Sequence, residues 1–403
     1  MSNATAARPR VLVSTAAPGL GGVDAMTRFA VDCLSRNGME PVLAHYAPYS
    51  THPQLSVPVY RLGQRAIGAS RTQSYTGIET HAFGAWLPEL EFTHYTATAQ
   101  WKTLMDTCDA HISVSGNVLA ATPFLQTARP YVAWVATDWD GDRKDRVKGF
   151  PAVRRLLDAS INGPVIRRLE QRLLTHANVL SLSEYTASRL AEIVGPTFHT
   201  ALLPVPVDTK LFSPSPMPAT LGRIGFAGRF TDPRKNIGLL LESVSLLRQQ
   251  GHDATLVLMG DIASQPIMVA IEAHGLKAHV LLPAQLSRTE MAVLMQSLDV
   301  FALPSHQEGL CIAALEAMAC GVPVVSTRCG GPQEFVIDGE TGYLTDANPQ
   351  AMARSIASII GDRPLRARMA QAARRMVDDR YTNSRTEAVF LHALHTTFAQ
   401  LAS

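Results

Sequence analysis

The chain has 403 residues, 36 Lys plus Arg against 34 Asp plus Glu for a formal charge of +2, and 46% apolar types. This excludes intrinsic disorder, which goes with few apolar residues and high net charge, and it argues against a dedicated nucleic-acid binder, which needs a strong basic excess. At roughly 100–200 residues per domain the length predicts two domains. No run of apolar residues is long enough for a spanning helix. The five cysteines (Cys33, Cys108, Cys311, Cys320, Cys329) are scattered without a C-x-x-C pair. Residues 1–8 lack a charged lead followed by an apolar core. Both features predict a reducing, cytoplasmic setting rather than export.

Taken in chain order, short apolar β-branched runs predict strands at 11–14, 41–44, 110–114, 131–135, 179–182 and 200–203. Further strands are predicted at 222–227, 255–259, 279–282, 299–303 and 322–326. Helical periods fill the gaps, as at 23–36, 116–126, 236–250 and 288–297. Strands apolar on both faces and separated by helices predict parallel, doubly wound sheets. The stretch 203–218 holds five prolines, cannot continue a sheet centrally, and reads as a linker. Both halves open with a strand, a glycine turn and a helix, so two Rossmann-like domains facing each other across a cleft are the simplest reading. The expected boundaries are an N-terminal domain over 1–205, a linker over 206–219, a C-terminal domain over 220–382, and a last helix over 383–403 that crosses back.

Three segments are able to carry chemistry. In the first, a buried strand leads through Pro304 and Ser305 to Glu308 and Gly309, then into a helix ending near Cys320, Gly321 and Pro323. Glu316 is the only charge between Gly309 and Arg328, and a carboxylate among Ala, Leu and Met is costly without a partner or ligand. Glu308 and Glu316 would be separated by about 12 Å of helical rise, too far for the carboxylate pair of a retaining glycosidase at roughly 5–5.5 Å. They suit two acceptors gripping different parts of one long ligand, or an ordinary helix with one loop Glu and one paired core Glu. The second segment follows a strand with Gly228, Arg229, Lys235 and Asn236 just before a helix. It is either a diphosphate cradle or a solvated basic loop. In the third, Gly330 and Gly331 form a turn able to bring N–H groups to an anion. The N-terminal turn over 18–22 lacks full G-x-G-x-x-G spacing, and no acid ends the next strand. It is a phosphate-facing loop, led by Gly21 and Gly22, or a plain strand–helix turn.

Together these segments resemble the family 4 retaining glycosyltransferases of GT-B fold, most clearly over 225–344. The shared pattern is Gly225-x-x-Gly228-Arg229, Lys235, Pro304-Ser305, Glu308-x7-Glu316, Gly321-x-Pro323 and Gly330-Gly331. The resemblance implies that Arg229 and Lys235 hold a donor diphosphate, that Glu316 takes the ribose hydroxyls and that Glu308 takes the donor sugar. It further implies that Gly309 and Leu310 offer backbone N–H groups and that Gly21 and Gly22 face the phosphates. After the strand 131–135 the family commonly has His-Asp; this chain has Thr137 and Asp138. Asp138 is expected either to touch sugar or acceptor or to cap a turn.

The implied reaction is metal-independent, retaining transfer of a sugar from a nucleoside-diphosphate sugar to a hydroxyl acceptor, by same-face attack and with no cofactor. The alternatives are another GT-B enzyme, an epimerase or phosphorylase, or a non-catalytic GT-B partner subunit. The stretch 61–101, with His81, Trp86, His94 and Tyr95, is a candidate acceptor lining, with ordinary packing as the alternative. Residues 142–172 hold nine Lys or Arg and four acids, a local charge of +5 (9 − 4). That region is either a solvated helix or a peripheral contact with an anionic membrane surface.

Overall fold

A computed structural model describes residues 8–17, 21–73, 77–144, 147–215, 221–229, 231–260, 262–283 and 285–401. The chain divides into two compact units, Met1–Leu203 with Glu387–Ser403, and Pro204–Thr386.

The first unit is built on an eight-stranded sheet. Its strands are β1 (Arg10–Thr15), β2 (Glu40–Tyr46), β3 (Ala69–Gln73), β4 (Glu79–Phe83), β5 (Ala110–Ser115), β6 (Val132–Val135), β7 (Asn178–Ser181) and β8 (Ala201–Leu202). Their order is β3-β4-β2-β1-β5-β6-β7-β8, parallel except for the β3–β4 pair. The central strands β5 and β6 are buried along their whole length, as a sheet covered by helices on both faces requires. Helix Gly22–Arg36 buries Met26, Phe29, Ala30 and Leu34. Phe29 meets Trp134 of β6 edge-on at 5.8 Å and Phe390 of the C-terminal helix Asn383–Thr397 at 6.1 Å. The Trp134 indole N–H, fully buried, donates to the Leu203 carbonyl at 2.8 Å.

Two elements here differ from the sequence reading. The irregular stretch 61–101 contains β3 and β4. β3 is an edge strand whose Ser70, Arg71, Thr72 and Gln73 give no apolar signal. The single helix expected over 116–126 is a 3-10 turn, Val118–Ala121, followed by helix Thr122–Gln126. Pro123 lacks an N–H and so fits only the first turn of a new helix.

The second unit carries a six-stranded, wholly parallel sheet: β9 (Arg223–Gly228), β10 (Thr255–Gly260), β11 (Val280–Leu281), β12 (Val300–Leu303), β13 (Val324–Thr327) and β14 (Gly342–Thr345). The order is β11-β10-β9-β12-β13-β14. From β9 the chain first winds outward to β10 and β11, then returns to β12 on the other side. The junction of β9 and β12 is therefore the topological switch point, where doubly wound sheets bind ligands at the strands' C-terminal ends. Only Val300↔Ile224 and Phe301↔Gly225 pair across that junction. Gly225 lets Leu298 pack there, since a β-carbon at 225 would lie 2.2 Å from Leu298 Cδ1. β14, with one fully apolar residue in Gly342–Thr345, carries no apolar run that predicts a strand.

Candidate functional site

The C-terminal ends of β9 and β12 deliver two loops to the switch point. β9 ends in Gly228 at φ +148°, against Gly260 of β10. A β-carbon on Gly260 would lie 2.1 Å from the Gly228 carbonyl oxygen, so the two strand ends approach as only glycine permits. Beyond Arg229, the Asp232 carboxylate accepts the Arg234 N–H at 3.1 Å and caps the short turn Pro233–Lys235. Asn236, in the left-handed region at φ 48°, then starts helix Ile237–Gln249 without a side-chain cap. The β12 loop is tied to this turn by the His306 N–H, which donates to the Arg234 carbonyl at 2.8 Å.

At the meeting point Lys235 Nζ lies 2.7 Å from Glu308 Oε1, and Ser305 Oγ donates to the same oxygen at 2.6 Å. Glu308 and Ser305 are buried. The Glu308 N–H donates to the Cys329 carbonyl at 2.7 Å and its own carbonyl accepts the Gly331 N–H at 3.0 Å. A β-carbon at Gly331 would strike the Gly309 carbonyl oxygen at 2.2 Å. The glycine pair 330–331 is thus fixed by contact with the 308–309 loop. Helix Ile312–Ala319 starts from Cys311, at φ 71°, also without a side-chain cap. Two helix N-termini, with their partial positive charge, and a lysine therefore converge near one buried carboxylate, an arrangement suited to an anionic ligand.

Burial works against the Lys235 charge, but the Glu308 carboxylate outweighs it and holds the ammonium above its ordinary value. Burial alone would raise Asp232, yet the hydrogen bond and charge of Arg234 and the charge of Arg229 hold it below the usual carboxylate range. Arg229 stands at the rim, its side chain 56% exposed and 3.7 Å from Asp232. Glu316, buried on the helix, pairs with Arg288 at 3.3 Å, and Arg288 in turn lies over the Phe212 ring at 5.2 Å. Burial pushes the Glu316 carboxyl up to about 7, partly opposed by Arg288.

The structure thus brings Gly228, Lys235, Glu308 and Gly309 into one cluster, with Leu310 buried, Arg229 at the rim and Glu316 one turn into helix Ile312–Ala319. The sequence reading missed Arg288: nothing local marks it as the partner of a carboxylate 28 positions on. Ser305 enters the sequence pattern only beside Pro304; its hydrogen bond to Glu308 gives it a part in the site.

In the first unit, Gly21, at φ 123°, stands as the N-cap of helix Gly22–Arg36, while residues 18–20 of that turn lie outside the described residues. Asp138 is buried and caps helix Trp139–Arg143, accepting the Gly141 N–H at 2.9 Å. Its two oxygens also face Arg189 at 3.3 and 3.1 Å. Thr137 donates its backbone N–H to the Gly116 carbonyl. Among the candidate acceptor residues, His94 stacks on Tyr46 at 4.1 Å, the Tyr95 hydroxyl donates to the Thr15 carbonyl at 3.0 Å, and His81 pairs with Glu79 at 2.7 Å. Trp86 is 41% exposed.

Residues 208–376 match the sequence profile of the family glycosyl transferases group 1. The second unit carries a group 1 glycosyl transferase domain. Lys235, Glu308, Glu316 and the 330–331 turn all lie inside it. Curated relatives extend the match over about half of the chain. A GDP-mannose-dependent alpha-(1-6)-phosphatidylinositol monomannoside mannosyltransferase of Mycolicibacterium smegmatis is 31% identical over 240 residues, 54% of this chain and 62% of that protein. A D-inositol 3-phosphate glycosyltransferase of Arthrobacter is 30% identical over 217 residues, 50% of this chain and 51% of that protein. The match therefore spans between half and two thirds of these relatives. The fold of the whole chain is similar to that of solved structures. Sucrose-phosphate synthase of Thermosynechococcus elongatus superposes with a TM-score of 0.73 at 19% identity, covering 98% of this chain and all of that one. HepE of Anabaena, solved with UDP and glucose, gives 0.70 at 19% identity over 96% and 100%. The fold is the GT-B class of two Rossmann-like units around parallel sheets.

Proposed function

We propose that this protein transfers a sugar from a nucleoside-diphosphate sugar to a hydroxyl acceptor, with retention of configuration at the transferred carbon. The observation that carries this reading is the Lys235–Glu308–Ser305 cluster at the switch point of a group 1 glycosyl transferase domain. Without donor, Lys235 and Glu308 neutralise each other. With donor, the lysine is shared with the diphosphate, and Glu308 becomes the acceptor for a hydroxyl of the sugar. Arg229 at the rim and the N-termini of the helices starting at Ile237 and Ile312 supply the remaining positive field. That field stabilises charge developing on the leaving diphosphate, the largest single contribution expected for such a step. Glu316 exchanges its Arg288 contact for the ribose hydroxyls.

On this reading the cations do the work for which a metal would otherwise be needed, and turnover is unaffected by a chelator. The leaving phosphate takes the acceptor's proton, and attack comes from the face it leaves. Asp138, already held by Gly141 and Arg189, acts by fixing the segment after β6, and any contact of its own with substrate is through the backbone around it. The acceptor lies on the first unit. The named relatives act on an inositol phosphate or a phosphatidylinositol mannoside, so inositol-containing and lipid-linked hydroxyls head the acceptor panel.

The deciding experiment is thermal stabilisation by a panel of nucleotides and sugar nucleotides, followed by nucleoside-diphosphate release on adding acceptors. Stabilisation by one nucleoside diphosphate and its sugar, then acceptor-dependent release with an α-linked product from an α-linked donor, is expected. Release without an acceptor product points to a different GT-B activity, and absence of any nucleotide stabilisation sinks the proposal.

A further inference from the structure

The segment from Ala152 to His176 in the first unit presents a face that neither sheet nor helix packing uses. It consists of helix Ala152–Leu157, a π turn Asp158–Asn162 and helix Gly163–His176. Four aliphatic side chains on it face solvent: Val153 and Leu156 are 82% and 70% exposed, Ile161 and Val165 44% and 40%. In an unbroken α-helix, the five-residue step from Leu156 to Ile161 would send these side chains to different faces. A π turn closes i to i+5, so here they stand one turn apart on the same face. The flanking steps are three (Val153 to Leu156) and four (Ile161 to Val165), which keep neighbours together on a helix. Further steps of three and four lead to Arg168 and Arg172, both exposed. One extra residue in the π turn thus turns a broken pattern into a continuous stripe of four aliphatics ending in two arginines.

The π turn is held from inside. Asp158 and Asn162 are buried, and the Asn162 amide donates to Asp158 at 2.8 Å while its oxygen accepts the Glu91 N–H at 3.2 Å. Arg143 donates to the other Asp158 oxygen at 2.5 Å. Charge is sorted in the same way. Between residues 147 and 172 the acids are Asp158 and Glu170, both buried, whereas Lys148, Arg154, Arg155, Arg167, Arg168 and Arg172 are all exposed. Arg167 is paired with Asp140, and Arg154 lies over the Phe150 ring at 4.2 Å. The outer face is therefore aliphatic and cationic, with no exposed acid in that span.

We propose that this stripe is a docking surface for an anionic lipid bilayer. The aliphatic tips enter the headgroup boundary, and the arginines beside them take lipid phosphates, their stems lying along the apolar phase. The chemistry favours lipid over protein: the four exposed tips are aliphatic, and the cationic rim beside them has the sign that complements anionic headgroups. No described helix is long and apolar enough to cross a membrane, so the contact is peripheral. The proposal does not depend on the transferase reading, because it concerns binding to a surface rather than turnover.

The test is co-sedimentation of the full chain with phosphatidylcholine vesicles, with and without about 30% phosphatidylglycerol, at about 50 mM and about 0.5 M salt. Binding to the anionic vesicles at low salt, at least tenfold weaker to the neutral ones and weakened by salt, is expected. The paired substitution Val153→Asp with Leu156→Asp should weaken it at least tenfold, and Arg155→Ser with Arg168→Ser should do the same. Deleting Ala159 changes no charge but restores α-helical register, and should also weaken binding by splitting the stripe. All sites in the paired variants are exposed, and an unchanged melting temperature and nucleotide response will show that the fold and the donor site are intact. Variants that bind like the parent overturn the proposal, as does a parent that ignores anionic vesicles or binds both kinds equally.

Discussion

The two units open on the same plan and use it differently. In the first, helix Gly22–Arg36 follows β1 with Gly21 as its N-cap. In the second, an extra basic turn, Pro233–Lys235, stands between β9 and its helix, capped by Asp232 and locked to the β12 loop through His306. That insertion drops Lys235 onto Glu308. The frame of strand, turn and helix supplies a helix N-terminus in either unit. Among the described residues, the second adds to it a half-buried cation paired with a buried carboxylate. The first unit's buried acids go another way: Asp138 is held by Arg189 and a helix N-terminus, and Asp158 by Arg143 and Asn162. Topology marks where a ligand can sit, and the side chains that the turn imports decide what it can be.

The comparison is most sharply broken at Glu316. Glu316→Ala should weaken nucleotide-sugar binding by at least 100-fold, about 2.7 kcal/mol, because a charged hydrogen-bond acceptor is removed from a buried site; calorimetry of donor binding to a variant with native circular dichroism reads it. Lys235→Ala should lower turnover at least tenfold, with partial recovery in Lys235→Arg, and Arg229→Ala, at the exposed rim, should fall short of the Lys235 effect. Steady-state rates equal to the parent in Lys235→Ala would remove the diphosphate role. In the first unit the prediction has the opposite character. Asp138→Ala should cost about 1–2 kcal/mol of stability through the lost cap and arginine contact, measured by denaturant unfolding, and leave donor affinity unchanged.

The smallest effect concerns pH. The folded-state carboxyl of Glu316 is raised to about 7 from 4.5, so the native form holds more protons than the unfolded chain between those values. The stability this proton lends is full below about 4.5 and is lost as pH rises through about 7. Relative to Glu316→Gln, the parent should therefore lose roughly 1 kcal/mol between pH 6 and pH 7, from a linkage of 1.36 kcal/mol per proton per pH unit. Parallel stability curves for the two would show that burial leaves the carboxyl near its ordinary value.

Much of the second unit was legible because its signals are local. β9, β10, β12 and β13 are short β-branched or apolar runs, and the spacing from Gly228 to Lys235 and from Glu308 to Glu316 is short enough to read as one turn and one helix. Two edge strands, β3 and β14, were not legible, whereas β8 and β11 were. β3 is polar and exposed and β14 holds one fully apolar residue, so neither carries the apolar run that identifies a buried strand. Asp138 left two readings open, and its cap became visible only with the Gly141 N–H in place.

By itself the sequence determined the doubly wound class, the strand-end placement of its glycines and charges, and the isolation of Glu316 among apolar neighbours, because periodicity and turn chemistry act over a few residues. Only the tertiary structure decided the partners. Lys235 and Glu308 are 73 positions apart and meet because β9 and β12 are neighbours across the switch point. Arg288 reaches Glu316 from a preceding helix, and the stripe from Val153 to Val165 exists because Asp158 and Asn162 fasten a π turn that no residue pattern announces. Pairings of this kind depend on sheet order and on which polar groups are buried together, and those are settled by the packing of the whole unit.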